Sequence, residues 1–209
     1  MQLVFIHGLG QTPSSWEKTI EHMTIDVNCV CPDLPRMLHN QTIHYTNLYG
    51  AFSEYCNGFS EPVNLCGLSL GGILALHYGI EHPSKVNSLV LIGTQHVIPK
   101  KLLAFQNILF RFMPESMFQE MGFGKKDFIQ LSKSMMALDF THDLSNLSCP
   151  VLVICGEKDH ANKKASKELA KQVPNGKLQI IWKAGHEINT EAPAYLAEIL
   201  NQFFLSTRS

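Results

Sequence analysis

The sequence predicts a doubly wound α/β fold of about six mostly parallel strands carrying an inserted helical segment. Three observations lead there: short apolar runs alternate with amphipathic stretches, several of those runs are apolar throughout, and residues 94–140 interrupt the alternation. A parallel sheet is covered by helices on both faces, so its strands read as continuous rather than alternating apolar runs. Such a sheet carries its ligand site at the carboxyl ends of its strands. At 209 residues the chain fits one core of ordinary size.

Taken in order, the strand-length runs are LVFI (3–6), VNCVC (27–31), VNLC (63–66), SLVLI (88–92), VLVIC (151–155) and LQIIW (178–182). Helices are expected between and after them at 13–22, 42–59, 71–82, 163–173 and 191–204. From 94 to 140 there is no strand signal, yet seven of the twelve Phe and five of the eight Met fall there. This stretch is expected to form a helical cap (94–140) inserted into a core built from 1–93 and 141–209. Most of its aromatic and Met side chains are expected to pack against the core, with Phe105, Phe112, Met113, Phe128 and Met135 assigned to the substrate pocket.

Between the third run and the helix after it lies GLSLGG, in which Ser69 is fenced by Gly67, Gly71 and Gly72. Glycine costs about 1 kcal/mol relative to alanine inside regular structure, so such clustering signals a backbone constraint. A strand, a sharp turn at serine and a helix form the nucleophile elbow, which lifts the hydroxyl above the sheet edge. A serine hydroxyl needs an adjacent base, most often histidine. Of the ten histidines, His186 alone follows the last strand in a short loop, KAGH, ahead of the final helix. The base in turn needs an acid to fix its tautomer. Asp159, in the turn GEKD just past the fifth run, is the candidate; Asp143, which precedes that strand, is its nearest rival. HGLG (7–10) ends the first strand, where the amides of Leu9 and Leu70 are the expected donors to a carbonyl oxyanion. A dinucleotide fingerprint is excluded there because Pro13 stands where the third glycine belongs.

Net charge is −1 and no Lys/Arg stripe is present, which excludes nucleic acid and anionic membrane surfaces as primary partners. No apolar run is long enough to span a bilayer, and MQLVFIHGLGQ lacks the basic start of a signal peptide. The cysteines show no Cys-x-x-Cys pair and no zinc-ligand spacing, so reduced thiols in a cytoplasmic protein, with no metal and no cofactor, are expected.

HGLG, PDLP (32–35), GLSLGG, GEKD and GHEINTEAP (185–193), in the chain order Ser, Asp, His, resemble the α/β-hydrolase superfamily over nearly the whole sequence. The resemblance implies a small-cap serine carboxylesterase-like enzyme cleaving a small-molecule ester or thioester. A carbon-carbon bond hydrolase or lyase of the same fold is the enzymatic alternative, and a catalytically silent ligand receptor the alternative from another class. Two departures stand out. The family's first two strands are expected to be missing, which would leave a sheet edge for a homo-oligomeric partner to cover. After PDLP the chain reads RMLHN where relatives often carry Gly-x-Gly.

Overall fold

The computed structural model describes residues 1–39, 41–100, 103, 112–119 and 124–207. Six strands form one sheet: β1 (Gln2–Ile6), β2 (Asn28–Val30), β3 (Val63–Leu68), β4 (Val86–Ile92), β5 (Val151–Gly156) and β6 (Gly176–Ile181). Their spatial order is β2-β1-β3-β4-β5-β6, and every pairing is parallel. The chain starts at β1, steps outward to β2 and then returns to β3 on the other side. The order therefore reverses between β1 and β3, where a crevice opens at the carboxyl edge. HGLG leaves β1 and Ser69 leaves β3 on either side of that crevice, with Ile6 in register with Gly67.

Among the described residues the α-helices with defined bounds are α1 (Glu17–Glu21), α2 (Leu34–Met37), α3 (Tyr45–Asn57), α4 (Leu70–Glu81), α5 (Glu115–Gln119), α6 (Lys125–Ser134), α7 (Lys163–Gln172), α8 (Ile188–Glu191) and α9 (Pro193–Ser206). Side chains alternate across a strand, and β1 shows the consequence. Val4 and Ile6 join the cluster built with α3, α4 and α7, while Leu3 and Phe5 face the opposite cluster of Trp16 and α9. Both faces are thus covered, which is why these runs contain so little polarity.

Most boundaries shift by one to three residues from the sequence expectation, and three differences have a plain physical reason. The final helix is broken: α8 ends before Ala192 and α9 begins at Pro193, since a residue ahead of proline is pushed out of the helical region. PDLP carries a short helix, α2, whose N-cap Asp33 accepts a hydrogen bond from the Arg36 amide and whose first turn holds Pro35. At the far edge, Trp182 falls just outside β6 and is 75% exposed. The opposite edge strand, β2, is only three residues long, and short edges resist unplanned strand pairing.

The 94–140 segment is pinned at its base. Val97 and Asp139 form an antiparallel bridge, the Ile98 amide donates to Leu138 and the Phe140 amide to His96. Among the described residues no helix is long and apolar enough to cross a membrane. All six cysteines are free thiols, four of them buried.

Candidate active site

Ser69 sits between β3 and α4 at φ 52° and ψ −112°, a conformation L-residues avoid. The turn is held from both sides: the Ser69 amide donates to Ile92 on β4 (2.8 Å), and its carbonyl accepts from Ile73 within α4 (2.9 Å). Space explains the flanking glycines. A Cβ on Gly71 would lie 2.2 Å from the Ile6 carbonyl oxygen, and one on Gly67 2.3 Å from the Gly71 backbone. Backbone cannot step aside as a flexible side chain can, so Gly71→Ala is expected to cost about 3 kcal/mol. Denaturant melts check this; a loss within about 0.5 kcal/mol would mean the elbow can open without strain.

His186 and Asp159 leave the ends of β6 and β5 and meet with Nδ1 2.7 Å from Oδ2. Asp159 is buried. Burial alone pushes its carboxyl up, but the hydrogen bonds from His186 and Asn162 outweigh it and hold the carboxyl below its ordinary value. A proton on Nδ1 leaves Nε2 as the acceptor nitrogen of the neutral ring. The loop carrying His186 is clamped by Glu191, whose carboxylate accepts the amides of Gly185 (2.5 Å) and Glu187 (3.2 Å).

The HGLG loop is braced with equal care. His7 is buried, with Nδ1 2.9 Å from the Gly8 carbonyl and Nε2 accepting the Leu34 amide at 3.2 Å. Burial pushes its pKa down, against smaller raising effects of the Gly8 carbonyl and Asp33. Gln11 takes the Gly8 amide on Oε1 and pairs reciprocally with the buried side chain of Asn189 (3.2 and 3.1 Å). This amide pair ties the HGLG loop to α8, just beyond His186. Leu70 is the first residue of α4, where helix geometry leaves amides without intrahelical partners.

Protonating His7 would destroy its acceptor role toward Leu34. Its folded pKa lies below the unfolded value of about 6.5, so its contribution is present above that pH and is lost as pH falls. The melting temperature should therefore drop as pH falls below about 6.5. His7→Asn should remove part of that slope; an unchanged slope would show that other groups carry it.

Ser69, Asp159 and His186 line one cavity of about 560 Å³, together with Leu9 and Leu70. The rest of the wall is mostly apolar, with Ile73, Ile98, Pro99, Leu103, Phe128 and Met135 joined by the polar Gln95, Ser132, Asn162 and Glu187. Of the residues assigned to the pocket from sequence, Phe128 and Met135 reach it. Phe112 does not: it is 84% exposed, on the solvent side of its turn. Met113 packs instead against the core cluster, its carbonyl bound by the Lys125 ammonium. Phe105 lies outside the described residues.

Three further residues of the cavity wall are not singled out by the sequence. Gly93, at φ 55°, lets the β4 end pass beneath it: a Cβ there would lie 2.8 Å from His186 Cε1 and 3.3 Å from Asp159 Oδ2. Its only signal was a glycine directly after SLVLI. Gln95 and Asn162 carried no signal, because their roles arise from contacts between separate loops.

The family described as alpha/beta hydrolase matches residues 3–199. A pimeloyl-[acyl-carrier protein] methyl ester esterase of Vibrio atlanticus is 24% identical over an alignment 242 positions long, covering 95% of this chain and 93% of that protein. The monoacylglycerol lipase abhd6-B of Xenopus laevis is 21% identical over 256, covering 99% and 76%. Among solved structures, MenH from S. aureus superposes with a TM-score of 0.83 at 18% identity, covering 100% of this chain and 95% of that one. An esterase from Thermogutta terrifontis gives 0.80 at 19% identity, covering 100% and 91%. At these identities the structural likenesses speak to the fold.

Proposed function

The chain belongs to the alpha/beta hydrolase family, and from that premise we propose that it hydrolyses carboxylic ester or thioester bonds of small, largely apolar acyl substrates, with Ser69, His186 and Asp159 as its catalytic triad. The observation that carries this reading is one cavity lined by a strained serine, a hydrogen-bonded His-Asp pair and a mostly apolar wall. The names of relatives that are ester hydrolases support it at the level of reaction class.

In this reading Ser69 Oγ attacks the substrate carbonyl while His186 Nε2 takes its proton. Asp159 stabilises the imidazolium, and the amides of Leu9 and Leu70 receive the oxyanion. Collapse expels the alcohol or thiol, which leaves with the proton from His186. Water, deprotonated by the same nitrogen, then attacks the acyl-enzyme and releases the acid and free Ser69. Residues 94–140 act as a cap: the segment is pinned at its base and supplies Ile98, Phe128 and Met135 to the cavity wall. The six free thiols suit a cytoplasmic enzyme.

A carbon-carbon bond hydrolase or lyase handling an acidic substrate would want cations on this wall. Among the described lining residues the charged groups are Asp159 and Glu187, both acidic, while Lys126 and Lys133 are exposed elsewhere. This favours a neutral, apolar acyl group. The deciding experiment is turnover of aryl esters of graded acyl length, with Ser69→Ala as blank. Each buried methylene is worth about 0.8 kcal/mol, so kcat/KM should rise roughly 4-fold per carbon until the cavity is full, then drop. Slow turnover with no trend would overturn the apolar-ester reading.

A further inference from the structure

Asn162 stands three residues past Asp159, at the start of α7, and faces the pair rather than solvent. Its side-chain nitrogen lies 2.9 Å from both carboxylate oxygens of Asp159, and its backbone amide donates to Oδ1 at 3.3 Å. The orientation of that amide is fixed from its other end, where Oδ1 accepts from Gln95 Nε2 at 2.6 Å. Gln95 itself lines the cavity. We propose that Asn162 is a positioning residue of the hydrolytic site: it seats the Asp159 carboxylate against His186 and is seated in turn by Gln95. The proposal rests on the assignment of Asp159 and His186 to the triad.

A second contact makes the idea sharper than a bracing role. The Asn162 nitrogen is also 3.1 Å from His186 Nδ1. While Nδ1 carries its proton toward Asp159, two donors face each other there and no hydrogen bond forms between them. If the Asp159 carboxylate is lost, the same Asn162 amide becomes the donor to a bare Nδ1. That places the proton on Nε2, the nitrogen that must accept the serine proton. Asn162 therefore serves the productive tautomer only through Asp159. It also occupies a position from which a carboxylate could hold that tautomer directly, since aspartate is nearly isosteric with asparagine and would put an oxygen where the nitrogen now sits.

The experiment is a set of variants assayed on one short-chain aryl ester, each first checked for folding by circular dichroism. Asn162→Ala should lower kcat on the order of 10-fold to 100-fold with little change in KM, because the loss is in alignment rather than in binding. The acid limb of its kcat/KM profile should move to higher pH. With one donor gone, the Asp159 charge acts more fully on the imidazolium; Glu187, the other charged group among the described residues of the cavity wall, is unchanged. Gln95→Ala should shift both quantities in the same direction by less.

The decisive variant relocates the acid. Asp159→Ala should lose on the order of 10³-fold in kcat, and adding Asn162→Asp to it should recover at least about 10-fold. A double variant no better than Asp159→Ala, or an Asn162→Ala enzyme with unaltered kcat and pH profile, would overturn the proposal and leave the triad standing. If Asp159→Ala keeps full activity, the triad assignment fails and this inference with it.

Discussion

Replacing Ser69 with alanine is expected to lower kcat for aryl esters on the order of 10⁵-fold to 10⁶-fold while leaving the fold intact. The hydroxyl is the only group proposed to form a covalent bond with substrate, whereas the turn that carries it is built from its neighbours. The Ser69 backbone keeps its bonds to Ile92 and Ile73 whatever the side chain. A residual rate above that of water should survive from the Leu9 and Leu70 amides. An organophosphonate probe should label Ser69 in the parent enzyme and nothing in the variant; labelling at a different serine would sink the assignment. The strained backbone adds a second expectation. Ser69→Gly should also be inactive, yet should melt about 2 to 4 °C higher, because relief of φ 52° outweighs glycine's entropic cost by about 1 kcal/mol. Equal melting points for the two variants would mean that the elbow stores no strain.

The second large effect concerns the acid. Asp159→Asn should preserve folding and reduce kcat on the order of 10³-fold to 10⁴-fold, since an amide in that place can donate to Nδ1 and hold the unproductive tautomer. The geometry makes this expectation specific. His186 Nδ1 meets Asp159 at 2.7 Å, and the hydrogen bonds that keep that carboxyl ionised come from His186 and Asn162. Asp143, the rival in sequence, lies exposed ahead of β5, where its charge acts on His77. Asp143→Asn should therefore leave kcat within about 2-fold of the parent, a surface change away from the chemistry. Should it prove the more damaging of the two, the acid has been misassigned.

Much of this fold is legible in the amino-acid sequence. All six strands fall on the apolar runs, and Ser69, Asp159 and His186 could each be singled out as residues just past a strand. The reason is that a strand in a parallel sheet is buried on both faces and must be apolar along its length, while its carboxyl end is where polar chemistry is allowed. Local rules reach that far. They also explain the short helix in PDLP, with its capping Asp33 and first-turn Pro35.

The segment 94–140 shows the limit. Phe112 and Phe128 are the same residue type in the same segment, yet one is 84% exposed and the other lines the cavity. Short helices joined by tight turns can present any face to the core, and composition does not say which. The same holds for Gly93 and Asn162, which the assembled sheet brings against Asp159 and His186, and for Gln95, which meets that pair only through Asn162. What the sequence by itself determined was the order of elements and the candidates for the reactive groups, because burial and turn geometry are imposed residue by residue. What only the tertiary structure decided was which neutral side chains hold those groups in place, because a hydrogen bond between loops on different strands has no period and leaves no pattern along the chain.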